Sequence, residues 1–269
     1  MRVRMIVPEF EVFAIKYGER LGTRGSIFMK GDPHDSPMAM DYYIWVIRND
    51  EKTIVVDCGF DKKEGENRGR TYLRSPTEGL GLIGIDPAEV KDVIITHMHY
   101  DHVGNLSIFP NARFHVQDTE MAYVTGRAMT HPILRHSFVL SEVQEMVAMV
   151  YQDRAIFHDG DDDLVPGVTL HHFPGHARGL MAVRVNTKRG WIILASDTAH
   201  YYESLAAEHV FITHENIFEM LESYRSLVKL GGDVTRIVPG HDPDVLKRYP
   251  SLSRDLDGIV AVLHEKPSV

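Results

Sequence analysis

The amino-acid sequence predicts a protein of the α+β class. Three features carry that expectation: an N-terminal portion dominated by β-branched and aromatic runs, a later half in which short apolar runs end on a His or an Asp, and stretches of helical period set between strands. In the first portion, Val12-Phe13-Ala14-Ile15 and Tyr42-Tyr43-Ile44-Trp45-Val46-Ile47 read as strands. A turn at Asn49-Asp50 returns the chain through Thr53-Ile54-Val55-Val56-Asp57, a hairpin signal. Residues 22–37 between the first two strands are dotted with Gly, Pro, Asp and Ser and read as a loop.

Further along, residues 79–92 predict a short helix with Pro87 in its first turn. Val93-Ile94-Ile95 reads as a buried strand and Arg113-Phe114-His115-Val116 as another, with Asp118-Thr119-Glu120 starting a helix over Met121-Ala122-Tyr123. The stretch 126–150 interrupts the rhythm. With Met129, His131, His136, Phe138 and a helical run at 143–147, it reads as an inserted helical segment and a candidate substrate wall; ordinary core packing of its Met and Phe residues is the equal alternative. Asp159-Gly160-Asp161-Asp162-Asp163 lacks the downstream Glu and the spacing of an EF-hand and reads as a tight acidic turn, and His158 has no obvious partner. Ile217, Met220, Leu221, Tyr224 and Leu227 form one stripe of a helix spanning 216–230. No solenoid-length repeat, low-complexity tract or linker divides the chain.

Composition narrows the function classes. A formal charge of −9, from 38 acidic and 29 basic residues, disfavours nucleic acid or an anionic membrane as partner. A single cysteine, Cys58, excludes an intrachain disulfide and fits a reducing compartment; at the end of an apolar strand it reads as a small buried residue. The N-terminus has basic residues but no apolar stretch of signal-peptide length, and no window reaches membrane-span length, so cytoplasmic residence is expected. Exposed apolar residues in the 22–40 loop and the insertion would give a homodimer surface.

Chemistry concentrates in Thr96-His97-Met98-His99-Tyr100-Asp101-His102, immediately after the Val93–Ile95 run. Side chains alternate in extended chain, so His97 and His99 point the same way from the carboxyl end of a strand. Imidazole and carboxylate suit zinc, with manganese, iron or cobalt also compatible. A lone His-x-His would be weak among 16 histidines; His-x-His-x-Asp-His after a strand is a metal-site pattern. Three more strand ends offer ligands: His176 in Pro174-Gly175-His176, Asp197 after Trp191–Ala195, and His241 in Pro239-Gly240-His241. Residues 61–74, with Arg68, Arg70 and Arg74, read as a solvated loop or helix face. The functional alternative is a segment over the metal cleft that meets an anionic substrate group.

With these motifs in order, and with Asp57 and Gly59 forming a strand-ending Asp-x-Gly, the chain resembles the metallo-β-lactamase superfamily over nearly its whole length. The resemblance implies a four-layer αββα sandwich: a single domain over residues 1–269 with a helical insertion at about 125–152. It also implies two metals at the upper edge of two facing sheets. One would be held by His97, His99 and His176, the other by Asp101, His102 and His241, with Asp197 bridging both. Within the superfamily the chain looks most like the N-acyl homoserine lactonase branch, whose members often place a Tyr three residues after the bridging Asp. Here that position is His200, followed by Tyr201 and Tyr202. Either His200 takes the Tyr role, or Tyr201 reaches in, or the substrate differs.

The expected activity is a dinuclear zinc hydrolase acting on a small molecule: a metal-bridging hydroxide attacks the carbonyl of a lactone, an N-acyl homoserine lactone or a related one. Asp101 would pass a proton to the leaving alkoxide, His200 or Tyr201 would assist at the carbonyl, and Asp57 would hydrogen-bond a ligand imidazole. The same fold could instead act on a different ester, thioester or cyclic amide, which is the runner-up. Phosphodiester hydrolysis and diiron redox chemistry fit less well, since the chain is acidic and has no nucleic-acid module or flavin-binding appendage. A non-catalytic metal-binding protein would close its coordination shell, where an enzyme leaves a position open.

Overall fold

The structure is a computed structural model that describes residues 7–29 and 34–268. The basic segment Met1 to Ile6, on which part of the leader expectation rests, lies outside the described residues, as do residues 30–33 of the first loop. Strand β1 (Glu11–Thr23) pairs antiparallel along its length with β2 (Pro37–Arg48), and β2 returns into β3 (Thr53–Val56). The hairpin turn is tied by Asn49, whose Oδ1 accepts the amide protons of Glu51 and Lys52. Both long strands run beyond the apolar runs that announce them.

The charged segment forms α1 (Lys62–Asn67), capped by Asp61, and β4 (Thr71–Tyr72), which pairs with β1. Helix α2 (Pro76–Gly81) starts earlier than the sequence pattern at 79–92 predicts. Ser75 and Glu78 cap each other's backbone amides and Pro76 fixes φ at the first helical position, whereas Pro87 opens only a short 3-10 turn. Then come β5 (Asp92–Ile94), α3 (Tyr100–Val103), β6 (Arg113–Gln117) and α4 (Asp118–Val124). The 126–150 stretch holds α5 (Pro132–Arg135) and α6 (Leu140–Tyr151), and leads to β7 (Ala155–His158). Strands β8 (Asp162–Val165), β9 (Val168–His172), β10 (Met181–Thr187) and β11 (Gly190–Leu194) follow, then α7 (Tyr202–Ala207) and α8 (Ile217–Gly231). The remaining elements are β12 (Ile237–Val238), α9 (Asp244–Arg248) and β13 (Val260–Val262).

An eight-stranded sheet has the order β13-β1-β2-β3-β5-β6-β7 with β4 beside β1, and a five-stranded sheet has the order β12-β11-β10-β9-β8. Period-two alternation sorts the first sheet's residues into layers. Val12, Ala14, Tyr43, Trp45 and Ile47 cluster with Leu170, Val183, Val185, Ile192 and Leu194 of the second sheet. Phe13, Ile15, Ile44 and Val46 face the other way, into a core with Leu80 of α2, Met121 of α4 and Val143, Met146 and Met149 of α6. Behind the second sheet, Ala182, Ile193 and Ile237 cluster with Leu227 of α8. The layers therefore run helix, sheet, sheet, helix, as expected. Cys58 is buried within the first of these cores.

One local reading changes, and one buried acid comes to light. His158 does have partners: its ring lies 2.7 Å from Asp162 Oδ2 and 3.0 Å from the His115 ring, whose far nitrogen is 3.2 Å from Asp92. The pairing of β6 with β7 creates this chain, so spacing in the sequence does not reveal it. Glu142, in the first turn of α6, is buried. Burial, and then the Glu64, Asp61 and Asp101 carboxylates, push its pKa up from 4.5 to about 8.

Between those two values the unfolded chain ionises Glu142 while the folded chain keeps its proton, so this group subtracts stability as pH rises. Glu142→Gln should flatten that fall and raise the melting temperature more at pH 8 than at pH 5. Thermal melts of both proteins across that range check it, and parallel curves would contradict the assignment.

Candidate metal centre

The carboxyl ends of β5 and β11 and the turns after β9 and β12 meet at one edge of the two sheets. His97 and His99 follow β5 in extended chain, and Asp101 and His102 lie in the short α3. The ring centroids of His97 and His99 are 4.4 Å apart, those of His97 and His102 4.1 Å, and those of His99 and His176 4.7 Å. The two Pro-Gly-His turns depend on their glycines. Gly175 has φ +129°, and a Cβ there would stand 2.2 Å from the Met220 backbone nitrogen; at Gly240 it would stand 2.6 Å from the Ser196 carbonyl oxygen.

Ligand-competent atoms gather into groups whose members all lie within 4.8 Å of one another: His97, His99, His176 and Asp197; Asp101, His102 and His241; and Asp197, His200 and His241. The seven side chains singled out in the sequence thus come together, Asp197 beside both imidazole sets and His200 next to it. All are buried or nearly so. His97 Nε2, His102 Nε2, Asp197 Oδ1 and both His200 ring nitrogens make no well-formed hydrogen bond, although His200 Nε2 comes within 3.0 Å of Asp197 Oδ2. His241 Nε2 lies 2.9 Å from Asp197 Oδ1 without satisfying that oxygen. Buried polar atoms left unpaired cost about 1–3 kcal/mol each. Several converging on one spot, in a set of imidazoles and carboxylates, fit divalent cations.

What holds the ligands lies behind them. The Nδ1 of His176 lies 2.7 Å from the Thr213 carbonyl and that of His241 2.8 Å from the Asp41 carbonyl. A carbonyl only accepts, so each Nδ1 carries the proton and each Nε2 keeps its lone pair for the centre. His102 Nδ1 sits 2.7 Å from Asp57 Oδ2, the contact expected of Asp57. Asp57 also accepts from the Thr96 amide and hydroxyl, and Thr96 Oγ1 meets Ser196 Oγ at 2.8 Å. Asp57 and Ser196 both have positive φ, +63° and +46°, at the ends of the strands they terminate. Glu120, fully buried, accepts the amide protons of Met98 and Gly179, tying the His97–His99 segment to the His176 turn.

Electrostatics agree with the geometry. Burial opposes ionisation of Asp197, yet the imidazoles of His200, His241, His102 and His176 hold its carboxyl well below the usual range. Burial likewise opposes charge on His102, while the Asp197, Asp57 and Asp101 carboxylates raise its pKa. His97 and His99 are pushed down, first by burial and then by neighbouring imidazoles. His200 is depressed to about 3, mainly by burial, and its ring stacks on Phe211 at 3.6 Å. It is a neutral imidazole.

Six of these side chains, His99, Asp101, His176, Asp197, His200 and His241, line a cavity of about 630 Å³. Tyr201 is not among its lining residues: its hydroxyl donates to the Ala39 carbonyl and its ring packs edge-on against Phe28. The 126–150 stretch supplies part of the wall through Ile133, Leu134, His136 and Ser137, while Phe138 packs against the His99 ring. Arg68 and Arg70 also line the cavity, whereas Arg74 turns back to the Lys16 carbonyl. Sequence reasoning missed Arg20, Tyr42 and Tyr100 in the wall, and Glu120 behind it. The signal for Tyr42 was its place in a strand whose face was not assigned.

The family model of the metallo-beta-lactamase superfamily matches residues 40–241, and the chain belongs to that superfamily. It is a metallo-hydrolase of that fold with a His and Asp metal site. It is 25% identical over 238 residues to a probable metallo-hydrolase of Mycobacterium tuberculosis, covering 78% of this chain and 74% of that one. It is 30% identical over 188 residues to the N-acyl homoserine lactonase AttM of Azorhizobium caulinodans, covering 64% of each. Among solved structures, a quorum-quenching N-acyl homoserine lactone lactonase superposes with a TM-score of 0.74 at 20% identity over 88% of this chain and 94% of that one. A probable metal-dependent hydrolase from Staphylococcus aureus gives 0.76 at 15% identity, over 98% and 97%. Among the described residues no helix is long and apolar enough to cross a membrane.

Removing the Asp57 carboxylate leaves the His102 ring unoriented. Asp57→Ala should weaken metal binding by about 10–100-fold, read by competition with a chromophoric chelator; unchanged affinity would remove Asp57 from the centre.

Proposed function

We propose that the protein opens the ring of a lactone, an N-acyl homoserine lactone or a related one, using two metal ions. The observation that carries a catalytic reading over a purely structural metal site is that the ligand side chains themselves line the cavity, leaving room for a substrate beside them. The lactonase AttM among its relatives supports the lactone. In this reading His97, His99 and His176 hold one ion, Asp101, His102 and His241 the other, and Asp197 is shared. Zinc suits the donors best, and manganese, iron or cobalt would also fit. Such ions, when bound, supply a water acidified to react near neutral pH and a Lewis acid for the carbonyl oxygen.

The chain's own residues do the rest. Asp101, on the cavity wall, is placed to carry a proton to the departing alkoxide. His200, a neutral imidazole on the cavity wall beside Asp197, is placed to offer an N–H to charge growing on the carbonyl oxygen. Tyr201 stays in the packing behind the site and the Tyr role falls to His200. The insertion, about 125–152, forms one wall of the substrate cleft in a single hydrolase domain.

Asp197→Ala and His102→Ala should each abolish turnover and metal content together, measured by metal analysis beside a screen of lactones, thioesters and cyclic amides. Full activity in either variant would break the ligand assignment, and a preference for thioesters or cyclic amides would move the substrate to that class. His200→Ala should keep its metal while kcat falls by about 10²–10⁴-fold. Loss of metal instead would make His200 a ligand.

A further inference from the structure

Away from the metal ligands, the cavity wall has an unusual charge pattern. Among the described residues its only carboxylates are Asp101 and Asp197, both already at the centre, whereas three guanidinium groups line it: Arg20, Arg68 and Arg70. This occurs in a chain whose formal charge is −9, so the pocket opposes the sign of the whole. Arg68 is neutralised by Glu64 at 2.5 Å. Arg20 and Arg70 have no carboxylate partner among the described residues. Arg70 donates from Nε to the Tyr100 hydroxyl at 3.0 Å and from one terminal nitrogen to the Arg68 carbonyl at 2.7 Å, leaving its other terminal nitrogen uncommitted. Arg20 spends one terminal nitrogen on Ser26 Oγ at 3.2 Å.

The sheet puts the two arginines side by side. Arg20 pairs across the ladder with Met40, and Tyr42 with Gly18, so Arg20, Met40 and Tyr42 share the face that lines the cavity. Arg70 enters from the start of β4, whose Thr71 pairs with Glu19 next to Arg20. The hydroxyls of Tyr42 and Tyr100, 3.3 Å apart, complete this donor-rich wall. Half-buried guanidinium groups with no carboxylate in salt-bridge contact among the described residues, beside hydroxyl donors, are suited to recognition of an oxyanion.

We propose that Arg20 and Arg70 bind an anionic group of the substrate, a carboxylate or a phosphate remote from the carbonyl that is attacked. The preferred substrate is then an acid-bearing lactone in place of one with a purely apolar tail. The reaction rests on the lactonase reading above; the anion site does not.

Binding and turnover test the two separately. With the metal-loaded protein, calorimetry compares linear dicarboxylates of four to eight carbons with their half-amides. Each probe offers one carboxylate to the metals, and only the diacid offers a second charge. At least one diacid should bind about 10–100-fold more tightly than its half-amide, and Arg20→Met and Arg70→Met should each cut that ratio by about tenfold or more. In the kinetic arm, γ-lactones carrying a carboxylate, a phosphate ester or a carboxamide should rank with an anion first, the carboxylate and phosphate members telling the two oxyanions apart. If every diacid binds no better than its half-amide in the unsubstituted protein, or if folded, metal-replete variants keep the ratio, the anion site is overturned. If the diacids are preferred but no lactone is opened, the lactonase reading falls and the anion site stands.

Discussion

The structure depends on a crowd of Lewis bases that cannot satisfy one another. His97, His102, His200 and Asp197 present buried atoms that make no well-formed hydrogen bond, and they arrive from strand ends and turns far apart in the chain. Left alone, such a cluster would open and let water in. It is held shut from behind: the Thr213 and Asp41 carbonyls fix two imidazoles, Asp57 fixes a third and braces Thr96, and Glu120 clamps two loop amides. Those rear contacts are in turn anchored in the apolar layers. Each fully buried aliphatic side chain between the sheets contributes about 1.5–3 kcal/mol. The inner layer contains many of them, Val12, Ile47, Val183 and Leu194 included, so it outweighs the local cost of an unpaired polar edge.

Legibility in the sequence followed from how far each signal had to reach. His97, His99, Asp101 and His102 were readable because spacing within one segment fixes which way they point. His176, Asp197 and His241 needed only the local rule that a polar residue ending an apolar strand lies at a sheet edge. Other contacts depend on which strand lies beside which. Tyr42 faces the cavity because β2 takes a particular register against β1, and Arg70 reaches it because β4 adds to that sheet. His158 finds His115 only once β6 and β7 are neighbours. Glu120 looked like a helix-start residue, and its position in α4 gives no hint of the two amides it accepts. The early start of α2 is legible in Ser75 and Glu78, a capping box that outweighs the helix-start signal of Pro87.

The 126–150 stretch shows why a single label for a segment is often too coarse. Val143, Met146 and Met149 are core residues under the first sheet, as the packing alternative held. A few residues earlier, Ile133 and Leu134 line the cavity and Phe138 supports the His99 ring. The same stretch therefore anchors itself with one set of side chains and shapes the cleft with another.

His200 brings these constraints together at one atom. A residue in that place must stand beside the Asp197 carboxylate and tolerate cations, so a charged imidazolium would be repelled whenever the metals are bound. Burial, with the Phe211 ring laid flat against it, removes that state by depressing its pKa to about 3. What remains is a ring with one N–H and one lone pair: Nε2 lies 3.0 Å from Asp197 Oδ2, and Nδ1 has no hydrogen-bond partner. A neutral imidazole can accept a proton on one side while donating on the other, so in the proposed reaction this ring keeps an acceptor that an imidazolium would lack.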